Sequence, residues 1–567
     1  MATVPEEGSP ARGYEEALVT WGLALHGREV DPSPEGKRVE EVLVAAEEVI
    51  AESDPYPNFL NIFHVRTREQ VIRRESLLEP GAPYSSQLAE ETARNLRKLG
   101  VFAVVRVVPV KGQSPGGVAL LIVTKDLWSL RLNQTWDVVG SFLRNLRLQA
   151  TEKNFLGLGQ QVALDFYLRP DTLSFGQTYV NRRLGGSRWY LGESAFLIIG
   201  RESGKAEGTR GTVALQRPLY ALSTPWSFSS SVEWNIETTR RFRGTEVWLL
   251  PYPDGDPVPY IYETREVSAG VNYTRAYGER FKNNVTGGVT AYHRAYDAPK
   301  DAPLDEAQRA WFKANQLPRS EDAVYGAVSL SAYEARYEVM RDVDAYALSE
   351  DFQMGHSVVA SLRYAPPAWA AAAHYGEFGV AGRYRWRWGD ALTTVSAGGA
   401  IRRALEEGAG WTNRRWAAEV HQVSPKVLGG RFVARGMLDV NIDDLFDRVS
   451  LLGGANGLRG AAQDAYAGKR LLLVNLEYRT APLVIRTLHL GGLLFYDTGS
   501  AFNRRPSLVH TVGVGIRFLF PQFNVHVFRL DFGYVLNDTL PPVLQRFTFS
   551  GGQITEYRPD ILETPLR

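Results

Sequence analysis

From about residue 129 onward the chain alternates apolar and polar residues with a period of two. In WSFSSSVEWNIE, Trp226, Phe228, Val232, Trp234 and Ile236 fall on one side, and Ser227, Ser229, Ser231, Glu233, Asn235 and Glu237 on the other. VALDFYL repeats this, with Val162, Leu164, Phe166 and Leu168 opposite Asp165 and Tyr167. So do VSAGVNYT from Val267, TVGVGIRF from Thr511, and FRLDFGY, where Phe528, Leu530, Phe532 and Tyr534 oppose Arg529, Asp531 and Gly533. Successive side chains of a strand point to opposite faces, so each run is a strand with one apolar and one polar face.

A soluble β-sandwich or propeller also alternates. Three features favour a transmembrane β-barrel instead. Aromatic residues lie on the apolar faces and near their ends, as in interfacial girdles. The polar faces carry Arg, Asp, Glu and Gly, which suit a wet or plugged lumen. The β-rich segment exceeds 430 residues with little helical periodicity, too long for one sandwich. In a bilayer such a sheet must close, because an open edge leaves backbone donors unsatisfied in hydrocarbon. The longest polar interruptions, TEVWLLPYPDGDPVPYIYETRE and the stretch from Tyr296 to Val324, are expected as outer loops.

The first part of the chain reads differently. Residues 1–35 form an extension in which YEEALVTWGLALHG suits a helix ended by DPSPEG. Residues 36–128 read as one small α/β domain. KRVEEVLVAAEEVI suits a strand, and DPYPNFLNIFHVRTREQVIRRESLL a helix after a proline-rich entry. SSQLAEETARNLRKLG is a second helix, with Ser85 or Ser86 as N-cap, an apolar stripe of Leu88, Ala93, Leu96 and Leu99, and Gly100 as the stop. VFAVVRVVPVKG and GVALLIVTKDLW are strands joined by a turn. The order is β-α-α-β-β.

Composition narrows the setting. Lys+Arg is 64 and Asp+Glu 63, so no net field argues for nucleic acid. Aromatics make up 11% of residues and there are 53 glycines, a mix that suits strands and turns. With no cysteine, thiolate metal sites and disulfides are excluded, in keeping with passage through an oxidising compartment. The start, MATVPEEGSPARGYEE, lacks a basic and then apolar export signal, so for an exported barrel the signal is expected to have been removed.

Catalytic and ligand motifs fail on spacing. GRESGKAE has three residues, not four, between Gly200 and Gly204-Lys205, and lacks the Ser/Thr of a phosphate loop. No nucleophile elbow occurs, and the nine histidines are scattered. Asp439, Asp443, Asp444 and Asp447 lack calcium-loop spacing and read as a solvated acidic turn. No enzyme activity, metal or cofactor is expected.

One stretch remains, GGANGLRGAAQDAYAG from Gly453 to Gly468. It places a single guanidinium, Arg459, in a loop of small residues. A lumenal arginine needs carboxylate partners. Alternation in LLLVNLEYRTAP and LGGLLFYDTGSAFN turns Glu477 and Asp497 away from their bilayer-facing neighbours. These features resemble the BamA/TamA superfamily of outer-membrane assembly and translocation proteins (bacterial surface antigen type). Leu458-Arg459-Gly460 matches the family's loop tip. NLEYRTAP and Phe495 to Gly499 (FYDTG) match its acidic strands, and RLDFGY and QRFTFSGGQIT its last two strands. The fourth tip position is Ala461 rather than an aromatic, and the last strand ends at Thr555 without one.

The resemblance implies a POTRA-like periplasmic domain over 36–128. It also implies a barrel of about 16 strands over 129–567, with an inward loop 449–468 and a tail 556–567. Arg459 would pair with Glu477 and Asp497, either stabilising the barrel alone or also shaping its gate. The seam would lie between a first strand within Leu130–Thr151 and a last strand near Gln545–Thr555, where Phe547 and Phe549 fall. The implied function is insertion or translocation of client polypeptides at the bacterial outer membrane. Partners would be outer-membrane lipid, unfolded outer-membrane or secreted clients, and periplasmic chaperones or accessory lipoproteins. Clients would add as a strand to an edge in VFAVVRVVPV or GVALLIVTKD. A passive channel, or a dedicated secretion or lipid pore, is the alternative.

Overall fold

The computed structural model describes residues 10–50, 61, 64–139, 142–243, 246–253, 255–299, 304–344, 350–369, 374–406, 408–446, 448–462, 464–485, 488–520, 527–537 and 547–551. The N-terminal part is a three-stranded sheet of β1 (Arg38–Glu47), β2 (Phe102–Lys111) and β3 (Gly117–Asp126), in the order β1-β3-β2. β3 is parallel to β1 and antiparallel to β2. β3 is therefore central and nearly every residue in it is buried. Of the two segments expected to offer a free edge, GVALLIVTKD offers none; β2 is an edge strand.

Helix α3 (Ser86–Lys98) covers one face, burying Ala89, Ala93 and Leu96 against Val42, Val44, Leu120 and Ile122. Ser85 stands at its N-cap without a side-chain cap bond, while Ser86 donates through N and Oγ to Glu35. The long helix expected after the proline-rich entry is only Glu69–Arg73, α2, among the described residues. The reason lies just upstream. Asp126, at the end of β3, accepts from the Thr67 amide (2.7 Å) and hydroxyl (3.0 Å) and pairs with His64 Nε2 (2.9 Å). That buried carboxylate holds residues 64–67 off the helical path.

Helix α1 (Pro10–His26), within the N-terminal extension, lies on the opposite face, with Leu18 packed among Ala45, Val104, Leu121 and Val123. The approach is close at Gly22, where a Cβ would stand 2.9 Å from Val123 Cγ2 and 3.2 Å from the Ala45 Cβ. Both faces of the small sheet are thus covered.

The rest is one closed antiparallel barrel of strands in chain order, from Leu130–Val139 to Phe547–Gly551. Among the described residues the ring comprises twenty-one segments. Leu483–Ile485 continues Arg470–Thr480 along the same neighbour, Leu488–Phe502, so twenty staves close the wall. The family resemblance implies about 16, and this wall departs from it; alternation carries no count that could have corrected the figure, since turns such as that between Tyr277 and Phe281 are too short to punctuate it. No helix among the described residues is long and apolar enough to cross a membrane. The strands provide the crossing.

The outer surface is apolar. Leu132, Leu164 and Leu494 are 71%, 64% and 58% exposed, whereas Asp165, Asp497 and Asp531 on the opposite face are buried. Exposed aromatics ring both ends, Tyr277, Phe281 and Trp388 at the end carrying the small domain and Tyr364, Phe378 and Trp411 at the other. The lumen is polar, lined by pairs between neighbouring strands such as Arg415–Asp439 and Arg435–Glu419. Two of the aspartates expected in a solvated turn are ion-paired, Asp439 in this way and Asp443 to Arg414. Asp444 accepts from the Arg448 amide, and Asp447 lies outside the described residues.

The two long polar interruptions lie at the far end. They pack together through Leu250, Val258, Tyr260 and Phe312, the last on helix α4 (Glu306–Asn315), whose start is closed by a capping box of Asp305 and Gln308. Helical structure is therefore present in this cap although periodicity did not announce it. The near end is not made of short turns alone. Between the strands Glu321–Glu334 and Gly355–Ala365, residues Tyr337–Met340 and Glu350–Gln353 form a hairpin.

The fit of α1 yields a prediction. Gly22→Val will separate α1 from the sheet, and limited proteolysis will then cut between residues 27 and 35 many times faster than in the wild type. Unchanged cleavage would show that α1 does not depend on this contact.

Candidate functional site

The site forms where four neighbouring strands carry acids and arginines on their lumenal faces. In Arg470–Thr480 the buried positions are Leu471, Leu473, Asn475, Glu477 and Arg479. Across the ladder Asn475 stands opposite Asp497, and Asp497 opposite Thr511. Opposed residues share a face, so these groups converge inside the wall.

The loop from Ile442 to Arg470 folds inward. Its base is a short ladder of Ser450–Leu452 with Tyr466–Gly468. Leu452, Leu458 and Ala461 pack against Leu471, Leu473, Val509 and Val535, forming an apolar seat inside an otherwise polar lumen. Ala461 is 3% exposed, so the small residue at the fourth tip position is itself enclosed.

At the tip, Arg459 is fully buried. Its Nε and NH2 donate to Asp497 Oδ2 and Oδ1 at 2.8 and 2.7 Å, a bidentate fork. NH1 donates to Glu477 Oε1 at 2.6 Å, and the Arg459 amide to Asp497 Oδ2 at 3.2 Å. The guanidinium also lies 3.7 Å from the centre of the Phe495 ring. Gly499 leaves room for the loop base, since a Cβ there would approach Leu452 Cδ2 to 3.2 Å. Leu458, Arg459, Gly460, Glu477, Asp497, Phe495 and Gly499 are thus brought together. Phe547 and Phe549 are not part of this cluster. They lie on the strand that pairs Phe532 and Leu530 and closes the ring, and their side chains, with Thr555 and the tail 556–567, lie outside the described residues.

Several participants escaped sequence reasoning. Asn475 Nδ2 donates both to Asp497 Oδ1 (2.8 Å) and to the Gly457 carbonyl (2.6 Å), tying wall to loop. Arg479 Nε donates to Glu477 Oε2 at 2.8 Å, and Arg517 pairs with Asp531 at 2.6 Å. Alternation places each of these inward, but periodicity alone does not rank one inward polar residue above another.

Gly533 was also missed. Gly460 has φ +89°, a conformation that favours glycine, and its backbone rests directly on the backbone of Gly533. A Cβ on Gly460 would stand 2.6 Å from the Gly533 carbonyl carbon, and one on Gly533 2.7 Å from Gly460 Cα. The loop tip is therefore seated on Phe528–Val535, which lies one stave from the junction of the first and last strands.

A closed barrel with an apolar outer belt, aromatic rows at both rims and a charged interior makes this chain an outer-membrane β-barrel protein. In sequence, 131 residues are 31% identical to a putative outer membrane protein assembly factor of Treponema pallidum. That match spans 22% of this chain and 15% of the relative, so the chain resembles such factors over a limited stretch. No family model matches. Among solved structures, BamA from Haemophilus ducreyi lacking POTRA domains 1–3 aligns over 98% of this chain and 95% of its own, at 12% identity and TM-score 0.35. CdiB from Acinetobacter baumannii aligns over 97% and 87% at 11% identity and TM-score 0.38. CdiB from Escherichia coli aligns over 93% and 79% at 10% and 0.42.

Removing one partner of a buried charge network costs about 3–5 kcal/mol. Arg459→Ala is expected to destabilise the barrel by about that amount, read as a lower temperature for converting the folded to the unfolded band in semi-native electrophoresis. An unshifted transition would reject a structural role for the pairing. A second test isolates the backbone contact. Gly533→Ala will lower the same transition, while Gly436→Ala, with nothing within 4 Å of its would-be Cβ, will leave it in place. Equal behaviour of the two variants would show that the close approach is not what holds the tip.

Proposed function

We propose that this protein assembles or translocates client polypeptides at the outer membrane. Client chains would meet the small α/β domain first and the barrel seam second. The observation that carries the reading is the inward loop, whose buried Arg459 is held by Glu477 and Asp497 while Gly460 rests on the penultimate strand. A tether at that position sets the shape of the wall beside its closing junction. The β-α-α-β-β order of the small domain resembles a POTRA domain, and the edge that would receive an extended client strand is β2. Among the described residues, Val30 and Asp31 pair with its C-terminal end, bridging to Val110 and donating to the Pro109 carbonyl.

The reading involves no catalytic step and no cofactor; free energy would come from client folding and burial in the bilayer. Unfolded outer-membrane or secreted proteins are the clients it implies, with periplasmic chaperones or accessory lipoproteins as further partners. A conducting channel is the second reading. It is favoured by two lumenal cavities of about 530 and 480 Å³, lined by charged residues including Arg415, Glu419, Arg435 and, in the second, Arg210, Glu237 and Glu266.

The two readings separate in one assay. An unfolded client barrel is diluted into liposomes with and without this protein, and with the Arg459→Ala variant. Assembly activity will appear as several-fold faster client folding that the variant reduces. Liposomes that conduct ions while client folding is unaccelerated would replace this reading with the channel.

A further inference from the structure

The near-end hairpin between Glu334 and Gly355 has no counterpart in the sequence reading and no part in the function proposed above. Its course is unusual for a barrel turn. It does not project away from the rim but folds back across the mouth. Met340, Val343 and Met354 are buried against Leu392, Val423 and Val433, which belong to three other strands. Val433 stands opposite Glu477 in the ladder and shares its lumenal face. The hairpin therefore occupies the interior of the mouth on the side of the small domain. Asp342, at its turn, has φ +59° and pairs with Lys426 at 3.3 Å.

Two sets of polar contacts hold this segment, and they come from different bodies. From the small domain, Arg97 on α3 forks onto Asp351 at 2.8 and 2.9 Å. Arg94 on the same helix lies 4.7 Å from the Tyr337 ring centre, and Glu15 on α1 pairs with Arg341 at 3.0 Å. From the barrel, Arg479 NH1 donates to the Val343 carbonyl at 2.7 Å. The same guanidinium donates through Nε to Glu477, which receives Arg459 on its other oxygen. One arginine thus bridges the hairpin and the acid that holds the loop tip.

We infer that residues 335–344 and 350–354 form a plug that closes the lumen at the small-domain end, that the small domain sets its seat through Arg97, and that Arg479 relays that seat to the loop site by positioning Glu477. Arg97–Asp351 is a part-buried fork between the small domain and the hairpin, so small-domain movement strains it directly. The Met340, Val343 and Met354 seat is apolar and non-directional, so on the barrel side the contacts that withdrawal must exchange for water are the Asp342–Lys426 pair and the Arg479 bond to the Val343 carbonyl. Arg479 is a positioning residue. It touches no client and acts only through the orientation of Glu477.

The test uses full-length protein in planar lipid bilayers, with semi-native electrophoresis confirming that each variant is folded. Arg97→Asp and Asp351→Arg alone are each expected to raise mean ionic conductance several-fold. Combining them restores opposite charges and is expected to return conductance to the wild-type level. Asp351→Asn, a milder change, is expected to give a smaller rise. Single variants that conduct like the wild type, or a double swap as leaky as the singles, would overturn the plug.

The relay has its own readout, because the chain has no cysteine. Ala461→Cys places a thiol at the buried loop tip, and its labelling by a water-soluble maleimide reports whether the tip is seated. Labelling is expected to be slow in that variant, faster when Arg97→Asp or Arg479→Gln is added, and slow again in the charge swap. Leaky single variants with unchanged slow labelling would overturn the relay.

Discussion

A guanidinium sealed from water inside a barrel wall must be matched in charge and in hydrogen bonds, and much of this molecule follows from meeting that demand at Arg459. Five donors in a planar fork cannot be satisfied by one carboxylate, so two strands each supply an acid on the lumenal face within reach of the guanidinium. The acids must in turn be held apart and oriented. Asn475 and Arg479 do this from one strand, and Phe495 lies against the flat face of the ion from the next. The loop has to reach the wall without side chains that would fill the space, which accounts for its small residues. Apolar packing by Leu452, Leu458 and Ala461 then excludes water from the ion pair and makes each charged hydrogen bond worth more than it would be at a wet surface.

The small domain and the barrel are joined by contacts of the same kind. Glu75, just past α2, pairs with Arg183 on a near-end turn, Asn95 on α3 donates to the Tyr220 carbonyl, and the Leu222 amide donates to Glu91. Thr67, already bound to Asp126, also accepts from Asn154 at the end of the second stave. Successive turns of the wall therefore grip successive elements of the domain. Its sheet keeps β2 as an edge while α1 and α3 cover its two faces.

Much of this was legible in the sequence, and the limits are physical. Period-two alternation revealed the strands and their lumenal faces, because one side of the wall contacts hydrocarbon and the other does not. It also turned Glu477 and Asp497 inward, and the isolated arginine in a glycine-rich loop marked the site. Stave number was not legible, because alternation carries no count and short turns give little warning. The helix expected before α3 shrank to Glu69–Arg73 because a tertiary contact, Asp126 with Thr67 and His64, outweighs local propensity. The near-end hairpin was hidden for a related reason. Its apolar residues, Met340, Val343 and Met354, are scattered and gain meaning only against partners on distant strands.

The meeting of Gly460 and Gly533 has a consequence for how such a protein can change over generations. Ion pairs can drift, since a charge lost on one strand is replaceable from a neighbour or reversed together with its partner. Two backbones in direct contact offer no such exchange. Glycine is already the smallest residue, so a methyl gained on one side cannot be answered by a reduction on the other. The contact can be lost in a single step, yet no second substitution on the facing strand can rebuild it. At this point in the wall, the contact returns only when glycine returns to the position that lost it.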